Sequence, residues 1–351
     1  LNAWPIEAHV DGAVHWQHFN DADNTFNQLS NLILAKSGTA NQRIAMGSRM
    51  LTQAMPLSNP EAPHVRPGPS VGGSPYGVDS FSKMMGEHVG AIRAKKPGTV
   101  QSVRDGIIKV LHDDGTGEDH ELFQWHPLNR KSFIHQEATV KPGQRFNPGS
   151  LLARSNNTDA EGNVAPGTNL RSAYVVRDGN NFEDAASISE SAAKRLASDH
   201  MYQHGIEWDD NHIKGKQGFM GAYPTKFPKA QLEMMDEDGV VKPGTIVQTG
   251  QPLVLAARKR DPKYGKVLKG HEQTVEDATQ TWDRSTEGVV TDVVKTKNGV
   301  SIAVRSKVPV EVSDKISGLF GDKSIVSEVI PDHLMPHDKD GKPFEALFNP
   351  L

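Results

Sequence analysis

One phrase occurs twice along this chain and limits its fold more than any other feature. Val140-Lys141-Pro142-Gly143 leads to Phe146, Gly149 and Leu151-Leu152-Ala153, and Val241-Lys242-Pro243-Gly244 leads to Val247, Gly250 and Leu253-Val254-Leu255-Ala256. Each copy is associated with a Gly-x-Val phrase, Gly98-Thr99-Val100 in the first and Gly288-Val289-Val290 in the second. A strand that enters a Pro-Gly turn, reverses and turns again at a second Gly is how hairpins assemble a small sandwich or barrel. The expectation is two small β modules, inserted in or hung on a third. Chance recurrence is the alternative, because 32 Gly and 22 Pro among 351 residues supply many turns in any case.

Charge and residue usage narrow the classes. The 39 Lys+Arg against 43 Asp+Glu leave a net charge of −4, which excludes a uniformly basic protein that coats nucleic acid. Apolar residues at 36% and aromatics at 6% are low for a compact enzyme, so part of the apolar surface is expected to close against other subunits. Cysteine is absent, which rules out disulfides and restricts any metal site to His or carboxylate ligands. No apolar run approaches the roughly 18 residues of a membrane span, and Leu1 to Gly12 lacks the order of a secretory signal. A cytoplasmic protein fits best. The start at Leu1 and the stop at Asn349-Pro350-Leu351 suggest a piece cut from something longer, or one part of a divided polypeptide.

Residues 13 to 56 carry the helical signal. Phe26, Leu29, Ile33 and Leu34 recur at helical spacing, Ile44, Met46, Met50 and Leu51 follow the break at Ser37-Gly38-Thr39, and Pro56 closes the helical part. Leu57 to Gly77 turns to Pro, Gly and Ser, a long loop or linker. After Asp79 come short strands separated by Gly-containing turns, interrupted by a helix expected over Ser187 to Ser198 behind the capping run Ser189-Glu190-Ser191.

Three clusters carry chemistry. Arg258, Lys259, Arg260, Lys263, Lys266 and Lys269 concentrate cations around Tyr264, either as a phosphate-binding face or as a solvated loop. Glu183 and Asp184 follow the turn Asp178-Gly179-Asn180 and precede the expected helix. They suit a hard cation or a nucleotide if the chain turns between them, and otherwise a helix cap and a surface ion pair. Lys315 and Lys323 flank Gly318 and Gly321, a spacing suited to phosphate oxygens and equally common in exposed turns. Other signals fail. Gly321-Asp322-Lys323-Ser324 lacks the glycine spacing of a P-loop, and His200 with His204 lacks the Glu of a zinc-protease helix. Asp236/Asp238 before Gly239 and Asp338/Asp340 before Gly341 read as hairpin turns. There is no cluster of three aspartates near a Gly to hold two metals.

Read in order, these phrases resemble the β subunit of the bacterial-type, multisubunit DNA-dependent RNA polymerase. Gln42-Arg43-Ile44-Ala45-Met46-Gly47-Ser48-Arg49-Met50 with Gln53-Ala54-Met55-Pro56 is similar to that family's Arg-x-x-Met-Gly-Ser-Asn-Met-x-x-Gln-Ala-Val-Pro block, and Glu61-Ala62-Pro63 to the stretch immediately downstream of that block. Ala165 to Leu170 and Asp178 to Asp184 resemble its Leu-Gly-x-Asn and Trp-Asp-Gly-Tyr-Asn-Phe-Glu-Asp blocks. Ser313 to Ser324, Met335-Pro336, Asp340-Gly341 and Asn349-Pro350-Leu351 resemble its Gly-Asp-Lys … Gly-Asn-Lys-Gly … Asn-Pro-Leu region.

The resemblance implies a mainly β fold with some α: a double-psi β-barrel carrying inserted small β modules of sandwich or barrel form, with an N-terminal helical segment. Residues 1–72 would be a helical lead-in, 73–195 plus 301–351 the hybrid-binding barrel, and 196–300 a wall-like or flap-like module. It also implies a β′-type partner that holds the principal Mg²⁺, further β segments, a DNA template, an RNA transcript and nucleoside triphosphates, with no membrane. Lys315 and Lys323 would meet the RNA 3′ end or nucleotide phosphates, Glu183 and Asp184 a second Mg²⁺, Arg43 the triphosphate, and Gln53 the RNA. With the basic stretch read as a contact surface, Arg258, Lys259, Arg260 and Lys263 join the nucleic-acid face. The chain departs from the family at Arg49, Thr52, Arg177, Leu319-Phe320 and Ser324. Division of a divergent β over several chains resembles the polymerases of large bacteriophages, whose enzyme would act in the host cytoplasm or travel in the virion. The rival expectation is a non-catalytic β-barrel module that binds nucleic acid or builds a virion.

Overall fold

The computed structural model describes residues 5–10, 13–18, 28–34, 36–67, 81–128, 131–259 and 275–349. It begins with an antiparallel hairpin of β1 (Pro5–Val10) and β2 (Ala13–His18), Pro5 opposite His18 and Val10 opposite Ala13. The helical reading from residue 13 is therefore corrected. Ala13–His18 instead pairs residue for residue with Pro5–Val10 as an extended strand. Gln28–Leu32 and Lys36–Gly38 are short 3₁₀ helices, and regular helix starts only with α1 (Asn41–Gln53), which ends three residues ahead of Pro56. Phe26 lies outside the described residues. A second helix, α2 (Phe81–His88), follows.

The duplicated phrase is one backbone design built twice. In the first copy β3 (Gly98–Arg104) pairs with β4 (Ile107–His112), which pairs with β5 (Gly117–Glu121), and β6 (Arg145–Phe146) lies with Phe146 opposite Gly98. The chain then passes through β7 (Ser172–Tyr174), β8 (Ala185–Ser189), α3 (Glu190–Arg195) and β9 (Ser198–Glu207). In the second copy β10 (Ile246–Val247) sets Val247 opposite Gly288 of β11 (Gly288–Thr296), which pairs with β12 (Gly299–Val308). The Gly143 N–H donates to the Val100 carbonyl and the Gly244 N–H to the Val290 carbonyl, both at 2.7 Å, and the valine N–H groups return bonds of 2.9 Å to Gln144 and Thr245. Even the bulges correspond, between Val100 and Ser102 in one copy and Val290 and Asp292 in the other. The chain finishes with β13 (Lys315–Ser317), β14 (Lys323–Ile330) and β15 (Ala346–Phe348).

Helix α3 is shorter than its expected span because Ser187 to Ser189 complete β8 and Ser198 opens β9. Its cap is as read: the Ser189 hydroxyl accepts the Ala192 N–H at 3.0 Å, satisfying one free helix donor. Both Asp-Gly sites are hairpin turns, with Asp236 N–H bonded to Val240 and Asp338 N–H to Lys342.

Two compact units result. One comprises Leu1–Leu122, Gln136–Leu196 and Pro309–Leu351, the other Phe123–His135 and Ala197–Val308. The first has a core of Val100, Ile108, Val110, Phe146 and Leu152 under the first repeat copy, and another of Ile188, Ala192, Val326 and Ala346 under a five-stranded sheet. The second unit packs Trp282, Leu253, Leu255, Val290, Ile302 and Val304 beneath the sheet β9-β12-β11-β10. There Arg305 Nε bonds both oxygens of buried Asp199, at 2.7 and 2.9 Å, and its guanidinium stacks over Trp125 at 4.8 Å. Among the described residues no helix is long and apolar enough to cross a membrane.

Candidate functional site

The site lies on the sheet ordered β7-β15-β8-β14-β13. Its connections are mixed: β7/β15 and β8/β14 are parallel, β8/β15 and β13/β14 antiparallel. On the β13–β14 hairpin Lys315 faces Ile325 and Ser317 faces Lys323. Strand partners share a face, so both lysines stand on one side as diagonal neighbours roughly 7–8 Å apart. Both are exposed, and neither has a side-chain partner among the described residues. Ile316 and Val326, of opposite parity, pack in the core below.

Glu183 and Asp184 join this edge through the backbone. The Ile325 N–H donates to the Asp184 carbonyl at 2.8 Å, and the next residue, Ala185, pairs with Ile325. The preceding turn is held by buried Asn181, whose amide donates to the Val175 carbonyl at 2.7 Å and whose oxygen accepts the Arg177 N–H at 2.8 Å. Asp178 and Gly179 follow left-handed backbone, with φ of 43° and 84°. Glu183 also has a positive φ, 54°, so the chain does turn where a shared ligand would require it. The pair leads into strand β8 rather than a helix, which removes the helix-cap alternative. Both carboxylates are exposed, and neither forms an ion pair among the described residues.

The described residues hold no group of three or more His, Asp or Glu able to bind a metal. Two exposed carboxylates on a turn fit an incomplete Mg²⁺ site, because this ion is usually bound by one or two carboxylates with substrate phosphates and water.

Helix α1 closes on the same hairpin. A Cβ on Gly47 would stand 2.8 Å from the Leu319 carbonyl and 3.1 Å from the Gly321 nitrogen, and one on Gly321, at φ 82°, would overlap the Arg43 carbonyl. Glycine is needed at both positions for helix and turn to approach so closely. Arg43 Nη1 donates to the Gly321 carbonyl at 3.2 Å, and the Ser30 hydroxyl to buried Ser48 at 2.6 Å. The sequence of α1 contains no acid. Gln53 is its exposed last residue. The final turn of the helix and the hairpin, through Met50, Leu51, Ala54, Ile316, Phe320 and Ser324, border a cavity of about 660 Å³.

Sequence reading missed the node that joins these walls. Arg195 Nη2 donates to Glu61 and to the Asn169 carbonyl, at 2.7 and 2.8 Å, while Nη1 bonds Glu345. Burial pushes the Glu61 carboxyl up, but hydrogen bonds from Arg195 and Asn169 and the guanidinium charge outweigh it and hold the pKa down at about 2. Glu61, Asn169 and Arg195 lie far apart in sequence with no shared spacing to reveal them.

The basic stretch belongs to the second unit. Arg258 and Lys259 end a strand, Ala257–Lys259, and both are exposed. Arg258 Nη2 is engaged by Asp209 at 2.8 Å. Arg260, Lys263, Lys266 and Lys269 lie outside the described residues.

The mixed sheet thus carries Lys315 and Lys323 on one hairpin, with the Glu183-Asp184 turn bonded to it through the backbone and helix α1 packed on its loop. Residues 100–351 fit the family described as RNA polymerase Rpb2, domain 6, and the chain belongs to that family. Among curated proteins it is 29% identical to the DNA-directed RNA polymerase subunit beta of Thermus aquaticus over 349 residues, covering 93% of this chain and 30% of that protein. The subunit beta of Clostridium tetani is 31% identical over 338 residues, 88% of this chain and 26% of that protein. That of Rubrobacter xylanophilus is 27% identical over 331 residues, again 88% of this chain and 28% of the relative. The chain therefore spans less than a third of the length of these relatives, as a β-type segment. These three relatives are bacterial and do not confirm the expectation of a bacteriophage source.

Proposed function

We propose that this chain is a segment of the β-type subunit of a DNA-directed RNA polymerase and completes its nucleotidyl-transfer centre within an assembled cytoplasmic enzyme. The observation that carries this reading is the meeting, at one hairpin, of blocks far apart in sequence: Arg43 on Gly321, Lys315 and Lys323 on one face, and Asp184 bonded to Ile325. The five-stranded sheet, with its two parallel pairs and crossed connections, supports the double-psi barrel as the finer fold. The second unit serves as the wall-like or flap-like module.

In the transfer, the RNA 3′-hydroxyl oxygen forms a bond to the α-phosphorus of the incoming triphosphate, the bond from that phosphorus to the α–β bridging oxygen breaks, pyrophosphate leaves and the hydroxyl proton passes to water. The ammonium groups of Lys315 and Lys323 neutralise phosphate oxygens, Arg43 meets the triphosphate, and Gln53 follows the RNA. Such groups accelerate phosphoryl transfer through position and charge, with no protein nucleophile. Glu183 and Asp184 would help hold a second Mg²⁺, which when bound screens phosphate charge, while a β′-type partner holds the principal ion. Arg258, Lys259, Arg260 and Lys263 would contribute to nucleic-acid binding. Reconstitution with Lys315→Ala and Lys323→Ala is expected to cut nucleotide addition at least about a hundredfold with assembly intact. Undiminished extension would remove both lysines from the reaction.

A further inference from the structure

An isolated exposed isoleucine means little by itself; the position of Ile325 gives it meaning. This side chain is 43% exposed and stands opposite Lys315 on one side and beside Ala185 on the other. Its N–H is fixed by the Asp184 carbonyl at 2.8 Å. Adjacent strands lie about 4.8 Å apart, and Lys323, two residues earlier on the same strand and same face, is about 7 Å away. Ile325 therefore forms an apolar floor between Lys315 and Ala185, one row along the same face from Lys323 and from the turn that carries Glu183 and Asp184. A nucleotide whose phosphates reach the lysines lays its sugar, a face of C–H groups, across that floor. Charged neighbours cannot satisfy such a face, whereas a stiff β-branched side chain can, because its limited rotamers give a fixed surface.

We infer that Ile325 is a substrate-contact residue that packs against the sugar of the nucleotide whose phosphates Lys315 and Lys323 engage. This rests on the polymerase reading above and adds to it a contact that sets sugar position rather than charge. The strand holds Ile325 by its backbone, and the half-exposed side chain is only partly needed by the core, so truncation is expected to leave the fold standing.

The test is single-nucleotide addition by the assembled enzyme bearing Ile325→Val, Ile325→Ala or Ile325→Thr, with Val312→Ala as a control at another exposed apolar position of the same unit (54% exposed). Ala and Thr are expected to lower kcat/KM about tenfold, with Val within about twofold of the parent, as loss of a small apolar contact predicts. Companion chains and thermal midpoint should not change, and Val312→Ala should be silent. Ala and Thr variants as fast as the parent would overturn the inference, as would loss of the companion chains or of the fold, which would assign Ile325 to an interface or to the core. The Lys315→Ala/Lys323→Ala enzyme, run in parallel, separates the two levels. If it is slow while the Ile325 variants are fast, only the sugar contact fails; if it is fast, the polymerase reading fails with it.

Discussion

Replacing Gly47 by Ala probes the clamp between α1 and the lysine hairpin. The new methyl would lie 2.8 Å from the Leu319 carbonyl, and 3.1 Å from both the Gly321 nitrogen and the Ile33 Cδ1. The first two are backbone atoms, so the hairpin turn must yield by a few tenths of an ångström. Helix propensity favours Ala over Gly by about 1 kcal/mol in a helix interior, while overpacking costs about 1–3 kcal/mol. The net effect on stability is then between neutral and about 2 kcal/mol unfavourable. Rate is more sensitive, because misplacement of a reacting group by about 1 Å can cost about a hundredfold and this turn connects the strands of Lys315 and Lys323. A fall of about tenfold in single-nucleotide addition is expected from the reconstituted enzyme, measured beside its thermal midpoint. Gly38→Ala, with nothing within 4 Å of the added atom, supplies the control and should be silent. A Gly47→Ala enzyme that is both fully active and stabilised by the propensity gain would refute the clamp.

Gly143→Ala and Gly244→Ala should destabilise equally, by about 1–2 kcal/mol each in denaturant titrations, since φ is 82° and 81° and neither added Cβ meets a neighbour. A large cost at one site alone would break the equivalence of the two copies. Asp199→Ala should cost the second unit about 3–5 kcal/mol by stranding the Arg305 guanidinium, read as a lowered thermal midpoint. Glu61, with its folded pKa below the ordinary 4.5, contributes stability that is fully present above about pH 4.5 and lost as pH falls toward about 2. Arg195→Gln should therefore raise the midpoint of acid unfolding, and an unchanged midpoint would show that Arg195 does not hold that carboxyl down.

Local chemistry was readable in the sequence, and long-range contact was not. The Pro-Gly turns gave away the duplicated module because each demands left-handed glycine backbone at a fixed offset, and the Ser189 cap needs only the three residues after it. Apolar spacing misled over Ala13–His18, where strand and helix patterns are hard to tell apart in so short a run, and Gln28–Leu32 took the tighter 3₁₀ form. The motif blocks put forward Arg43, Glu183, Asp184, Lys315 and Lys323 as candidates, and the fold brings Arg43 and the two lysines to one hairpin. Nothing local shows that Gly47 and Gly321 touch, or that Arg195 gathers Glu61, Asn169 and Glu345, since those contacts join residues with no common period. Ile325 was invisible for a related reason: its face is defined only once the hairpin register pairs it with Lys315.

Whether the β13–β14 hairpin holds nucleotide phosphates can be read by affinity labelling. The assembled enzyme, stalled with an RNA whose 3′-terminal nucleotide carries an amine-reactive aldehyde, would be reduced and digested, and the labelled lysines identified by peptide mass. Labels concentrated on Lys315 and Lys323, and suppressed by competing unmodified nucleotide, are the predicted result. Labels found wholly on other chains, with both lysines unmodified, would contradict it.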